Sequence, residues 1–212
     1  MIAIIDYGVG NLFSLQSSFA AIGAEAVVTA DPAVIREADR IILPGVGAFE
    51  DAARKLRDSG MAALLVELAA AGKPIMGICL GMQLLFDKSY EYGEHAGLSL
   101  IPGAVRPIRP VVPEDCKIPH IGWNALHFGV EKHPLFRYVE EGDCVYFVHS
   151  YYATDCAPAV IATTEYHAEL TAAVAQGNVM GCQFHPEKSG TVGLNILRAF
   201  CEMEGQTEDE KG

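Results

Sequence analysis

From Ile2 to Phe86 the chain alternates short apolar runs with longer amphipathic ones, and this alternation is the strongest constraint on its fold. IAIID, EAVVTA, RIILP and PIMGIC each read as a strand. Between them, NLFSLQSSFAAIG reads as a helix capped by Asn11 and closed by Gly23, and DPAVIREA places Asp31 at an N-cap and Pro32 at the first helical position. AFEDAARKLRDSG and MAALLVELAAAG are two more helices, each ended by glycine, and LGMQLLF is a helix directly after the fourth strand. Strands separated by helices of this length form βαβ units, hence a parallel sheet covered by helices on both faces.

Beyond Phe86 the pattern turns β-rich. GLSLIPGAVRPIRP, DCVYFVHSYYAT, AVIATTEY and LTAAVAQGNVMGCQF carry turns at Gly103, Asp143, Pro158 and the QGN of 176–178. Short successive strands of this kind predict antiparallel pairing appended to the parallel sheet. TVGLNILRAFCEM is a closing helix. No linker interrupts the chain, so residues 1–205 read as a single domain and 206–212 as an acidic, frayed tail.

The formal charge of −12 argues against nucleic acid or an anionic membrane as the main ligand. No apolar run approaches the ~20 residues of a membrane span, and MIAIIDYG reads as a strand, not a secretion signal. The six cysteines are scattered and form no C-x-x-C, which predicts neither a zinc site nor a disulfide framework and fits a reducing cytoplasm. There is no H-E-x-x-H, and His149 and His167 lack a carboxylate at ligand spacing, so neither metal nor cofactor is expected.

Cys79 stands out. It lies in Gly77-Ile78-Cys79-Leu80-Gly81, a G-x-nucleophile-x-G arrangement where strand becomes helix. Such a turn is tight, and flanking glycines leave room for it. It lifts the side chain above the sheet edge, beside helix N–H groups that favour a nucleophilic thiolate. A core cysteine between chance glycines is the plainer alternative. A nucleophile needs a base, and QFHPEKSG offers His185, with Glu187 to orient it. Pro186 is expected to hold the segment extended, so that residues 185 and 187 point the same way. LPGVGAF ends the third strand; its glycine-rich backbone, at Val46 and Gly47, can join the Leu80 N–H in an oxyanion hole, unless it is an ordinary turn.

With these motifs in order, the chain resembles the class I (triad) glutamine amidotransferases, through GICLGMQLLF and FHPEKSG. IIDYGVGNL, LPGVGAFEDA, IGWNAL and YFVHSYYA make it similar to the branch that supplies ammonia to a cyclase in histidine biosynthesis. The resemblance implies a flavodoxin-like α/β fold: a mostly parallel sheet, helices on both faces, and added antiparallel strands. It implies that Cys79 attacks the glutamine side-chain amide, giving a thioester and ammonia, while His185 moves protons and Glu187 orients it. Gln83, one helical turn beyond Cys79, would hold glutamine. Glu91 would meet the α-ammonium, and the Ser150 and Tyr151 backbone the α-carboxylate. The implied partner is a (β/α)8-barrel cyclase subunit in a heterodimer, with Asn11, Trp123 and Asn124 at the interface. For Trp123 a core position is the alternative, though Gly122 and Asn124 suggest a loop.

Three rival readings remain distinguishable. An amidotransferase of another pathway would not combine PGVGAF, GWN and HSYY. A cysteine peptidase-like hydrolase would lack the His-Pro-Glu run. A nucleotide-binding module read from DYGVGN would need a third glycine where Phe13 stands.

Overall fold

A computed structural model describes residues 1–203; the acidic tail expected at 206–212 lies outside the described residues. The first half follows the predicted order: β1 (Ile2–Ile5), α1 (Leu12–Ala21), β2 (Ala26–Thr29), α2 (Pro32–Glu37), β3 (Arg40–Leu43), α3 (Phe49–Asp58), α4 (Met61–Ala70), β4 (Ile75–Ile78) and α5 (Leu80–Leu84). Asp31 caps α2 as expected, its carboxylate accepting from the Ala33 N–H at 2.9 Å. Asn11 stands at the α1 N-cap, but its side chain makes no capping bond.

The second half comprises β5 (Phe86–Ser89), β6 (His95–Ala96), β7 (Ile101–Pro107), β8 (His120–Ala125), β9 (Cys144–His149), β10 (Tyr151–Thr154), β11 (Val160–Glu165), β12 (Glu169–Gln176), β13 (Val179–Cys182) and α6 (Gly190–Glu202). The central seven-stranded sheet runs β11-β12-β13-β4-β3-β1-β2. Its members from β13 to β2 pair in parallel, while β11 and β12 extend it antiparallel. The other late strands do not join it, contrary to expectation. They form a four-stranded sheet, β10-β7-β5-β6, and a two-stranded ribbon, β8-β9. Gly103 is likewise not a turn; it lies within β7, where the Thr154 carbonyl of β10 comes so close that a Cβ would stand 2.7 Å from it.

Strands β1, β3, β4 and β13 are buried on both faces, and their residues alternate between two cores, while the edge strand β2 is half-buried. Ala3, Ile5, Ile41, Leu43 and Ile75 pack on one side with Phe49, Leu65 and Phe86. Ile2, Ile4, Ile42 and Met76 pack on the other with Phe147, Phe184 and Phe200. In the sheet centre, Leu43 pairs with Gly77 and Ile78 with Cys182. The segments that follow β3, β4 and β13 therefore leave the sheet at the same edge.

Helix α6 is pressed against the turn that follows β13. A Cβ on Gly193 would lie 1.9 Å from the Pro186 carbonyl oxygen. Gly193→Ala should therefore cost about 3 kcal/mol or more in urea unfolding, because backbone must move to admit the methyl group. Asp31→Ala, which removes only an exposed cap, should cost about 1 kcal/mol.

Candidate active site

Cys79 ends the central strand with φ 55° and ψ −112°, a conformation that costs a non-glycine residue energy. Close packing behind it holds the turn. A Cβ on Gly81 would lie 1.9 Å from the Leu43 carbonyl oxygen, one on Gly77 would lie 2.6 Å from Gly81 O, and one on Gly45 2.6 Å from Gly81 N. The flanking glycines are thus required by contact between β3, β4 and α5. The Cys79 N–H donates to Cys182 O at 2.8 Å, tying the turn to β13.

His185 stands beyond the end of β13. Its N–H donates to Tyr146 O at 2.9 Å, and its carbonyl accepts from the Ser189 hydroxyl at 2.6 Å. Its Nδ1 is 2.8 Å from Glu187 Oε1, with both side chains almost completely buried. The segment is not extended as predicted: Pro186–Lys188 is a 3-10 turn. Pro186 fits its first position, where no N–H is needed, and the turn folds Glu187 back onto the imidazole. His185 lines the same cleft as Cys79.

Cys79 and His185 open into a cleft of about 530 Å³. Val46, Gly47, Leu80, Gln83, Glu91, Ser150 and Tyr151, all singled out in the sequence, line it. Gly47 has φ +90° whereas Val46 stays out of the left-handed region. The Tyr7 hydroxyl donates to Pro44 O at 2.7 Å, so the DYGVGN loop holds the start of the PGVG segment. Glu91 has a structural task as well: its Oε2 accepts from the Phe49 N–H at 2.6 Å, at the α3 N-terminus, where Ala48 offers no side-chain cap.

The family model described as glutamine amidotransferase class-I matches residues 3–203. The chain belongs to the class I glutamine amidotransferases. It is 51% identical to the imidazole glycerol phosphate synthase subunit HisH of Sulfurimonas denitrificans over 202 residues, covering 94% of this chain and 97% of that one. It is 50% identical to the subunit HisH of Lactococcus lactis subsp. lactis, covering 95% and 98%. Among solved structures, one described as a glutamine amidotransferase superposes with a TM-score of 0.74 at 18% identity, covering 95% of this chain and 98% of that one. PurLQS from Thermotoga maritima gives 0.70 at 20%, covering 94% and 96%. At that identity the likeness concerns the fold alone.

The residues expected at a partner interface of this amidotransferase lie outside the cleft. Trp123 is 55% exposed, as an interface reading requires, but it sits in strand β8 and not in a loop. It packs edge-on against Tyr146, its cross-strand partner. Strand alternation turns Asn124 to the opposite face. There its Oδ1 lies 2.8 Å from His120 Nε2 and its Nδ2 donates to Glu165 O at 2.9 Å, so the side chain is engaged internally. Asn11 is half-buried at the start of α1.

Sequence reasoning missed Gln183, Tyr7 and Ser189. The Gln183 amide donates to Cys79 Sγ at 3.8 Å, and Ser189 bridges the Tyr146 N–H and the His185 carbonyl. Gln183 lies two residues before His185, a spacing that in an extended segment marks one face; Tyr7 was hidden because DYGVGN was read for its glycines. Among the described residues no group of three or more His, Cys, Asp or Glu is placed to hold a metal ion. No helix among them is long and apolar enough to cross a membrane.

Burial pushes the His185 imidazole towards neutrality, but interaction with the Cys79 sulfur and with Glu187 outweighs it and lifts the pKa to about 9. An unfolded imidazole titrates near ~6.5. His185 therefore contributes stability that is complete below about pH 6.5 and lost as pH rises through about 9. Imidazole NMR should give a His185 midpoint near 9 in the native chain, and a lower one in Cys79→Ala and in Glu187→Gln. A midpoint that stays put in both variants would mean that neither group holds the proton.

Proposed function

We propose that this chain is the glutaminase subunit of an imidazole glycerol phosphate synthase. It would hydrolyse glutamine to glutamate and ammonia, and deliver the ammonia to a (β/α)8-barrel cyclase subunit in histidine biosynthesis. The observation that carries this reading is one buried imidazole, bonded to Glu187 and facing the same cleft as Cys79, at the edge of the central sheet. The near full-length similarity to HisH subunits supports the pathway.

In this reading Cys79 Sγ attacks the side-chain amide carbon of glutamine, and His185 passes a proton to the departing ammonia. The thioester is then hydrolysed by a water whose proton His185 accepts, returning the sulfur for another cycle. Glu187 keeps Nδ1 occupied, so that the other ring nitrogen serves the sulfur. Backbone N–H groups of Val46 or Gly47 and of Leu80 would stabilise the oxyanion. Gln83, Glu91, Ser150 and Tyr151 would bind glutamine. Ammonia set free in bulk water would protonate, which gives enclosure by a partner its chemical purpose. Exposed Phe13 and Trp123, with Asn11 beside the first, offer a surface for that partner.

Co-purification with the cyclase, followed by glutaminase assays with and without it, tests the reading. Cys79→Ala should abolish glutamine-dependent synthesis and leave ammonia-dependent synthesis by the complex; residual glutaminase in that variant would sink the triad. A second outcome concerns Val46, because a β-branched residue resists the peptide orientation that aims an N–H into the cleft. If the free subunit lacks that donor, its basal rate is low by the ~3–4 kcal/mol an oxyanion donor contributes. Val46→Gly should then raise it, and an unchanged rate would locate the restraint elsewhere.

A further inference from the structure

We propose that His149 and His120 are positioning residues for the reaction at Cys79. Through a one-way hydrogen-bond chain they hold the Tyr151 carbonyl, which sets the Gln83 and Gln183 amides so that an N–H faces the sulfur. The inference rests on the glutaminase reading only for its effect on turnover.

The chain starts from strand pairing. Immediately before β10, an edge strand, Ser150 O accepts from the Ile108 N–H at 2.9 Å. Bonded and non-bonded pairs alternate in an antiparallel ladder. Tyr151, opposite Pro107, is therefore at a non-bonded pair, and its carbonyl faces away from β7. Two side chains reach it instead: Gln83 Nε2 at 3.2 Å and His149 Nδ1 at 2.8 Å. A carbonyl only accepts, so both facing atoms must be donors. That fixes the Gln83 amide orientation and assigns His149 the Nδ1–H tautomer.

Towards the active site, the Gln83 amide nitrogen also donates to Gln183 Oε1 at 3.0 Å. Gln183 must then turn its own nitrogen to the other side, where Cys79 Sγ lies 3.8 Å away. The orientation of a donor at the nucleophile is thus inherited from a backbone carbonyl.

Away from the active site, His149 stands across the β8–β9 ribbon from His120. Burial pushes its pKa down to about 3, against the Tyr151 hydrogen bond and with help from His120 and His185. As a neutral Nδ1–H ring it offers only a lone pair at Nε2, so His120 Nδ1, 3.0 Å away, donates. A neutral His120 then presents a lone pair at Nε2 to Asn124 Oδ1, another acceptor, at 2.8 Å. The Asn124 nitrogen bonds Glu165 O. Four contacts thus lie between two backbone carbonyls, and two neutral imidazoles and one amide supply only three protons. Reversing the Asn124 amide moves the mismatch to Glu165 without removing it. With His149 as the Nδ1–H tautomer the inner end, at Tyr151, is complete whichever way the Asn124 amide lies, and the deficit stays at the outer end, in β8 and β11; the Nε2–H tautomer would move it to Tyr151 O. Any extra proton goes to His120, which is stacked between Tyr166 and Phe147 with ring centroids 4.0 and 5.1 Å away. Burial lowers its affinity for that proton, so uptake falls on the acid side. The titratable groups facing the pair are Tyr166, against His120, and His185, on the far side of His149.

The first measurement needs no substitution: long-range ¹⁵N–¹H NMR of the imidazoles in the full chain. His149 should be the Nδ1–H tautomer at neutral pH, and on acidification His120 should gain charge before it. An Nε2–H His149, or a His149 that protonates first, would overturn the chain. The second measurement is alkylation of Cys79 by iodoacetamide across pH. Gln183→Met should slow it about tenfold near neutral pH, as loss of a hydrogen bond to a charged sulfur would. His120→Phe, which keeps the stack, should slow it less but in the same direction. Folded variants with unchanged alkylation profiles would refute the positioning role, and if a variant fails to fold the NMR result decides. If the alkylation shifts appear while the complex of wild-type chain and cyclase releases no glutamate from glutamine, the functional reading fails and the positioning of Cys79 stands.

Discussion

Everything at the active edge depends on how closely the backbone of β3 approaches the turn after β4. The Leu43 carbonyl lies where a side chain on Gly81 would be, and Gly45 lies against Gly81 and Leu80. A turn pinned from behind in this way can hold Cys79 at φ 55°, at a strain of about 1–3 kcal/mol that the surrounding contacts offset. The same contact fixes the distance between Cys79 and the PGVG segment, so strain, presentation of the sulfur and the position of that backbone are consequences of one packing arrangement.

The second constraint is electrostatic. Glu187 and His185 are both buried, and taking two charges out of water is favourable only if each finds partners. His185 has one on each side, Glu187 at Nδ1 and Cys79 beyond, and it takes up a proton more readily than a free imidazole. Among the described residues Glu187 Oε2 has no hydrogen-bond partner, and Oε1 is the oxygen that meets His185. Pro186, Ser189 and the close approach of Gly193 hold the turn that makes this contact possible. Stability and the proposed chemistry are coupled here: the proton that favours the folded state sits on the residue proposed to move protons.

The strands outside the central sheet have a different task. The four-stranded sheet and the β8–β9 ribbon contribute Ser150, Tyr151 and His149 to the cleft. Because β10 is an edge strand, the Tyr151 carbonyl is left to side chains, and it becomes the meeting point of one amide from α5 and an imidazole from β9. The ribbon thereby links an outer surface carrying exposed Ile121 and Trp123 to the neighbourhood of the sulfur.

The sequence by itself determined the local events. Apolar runs of strand length, Asp31 with Pro32, and helix-ending glycines specified the elements up to Phe86, because caps and periodicity act within a few residues. The spacing around Cys79 marked the tight turn after β4, and His-Pro-Glu marked the candidate base proposed for it. Tertiary structure decided which late strands join the central sheet and which form the small ones, since alternation names a face but not a neighbour. It decided that residues 186–188 make a 3-10 turn, because the N-terminal turn of α6 presses on Pro186 O. It placed Trp123 and Asn124 on opposite faces of a strand where flanking residues suggested a loop. And it brought Gln183, Tyr7 and His149 to the site: each depends on a partner far along the chain, a separation at which local sequence carries no signal.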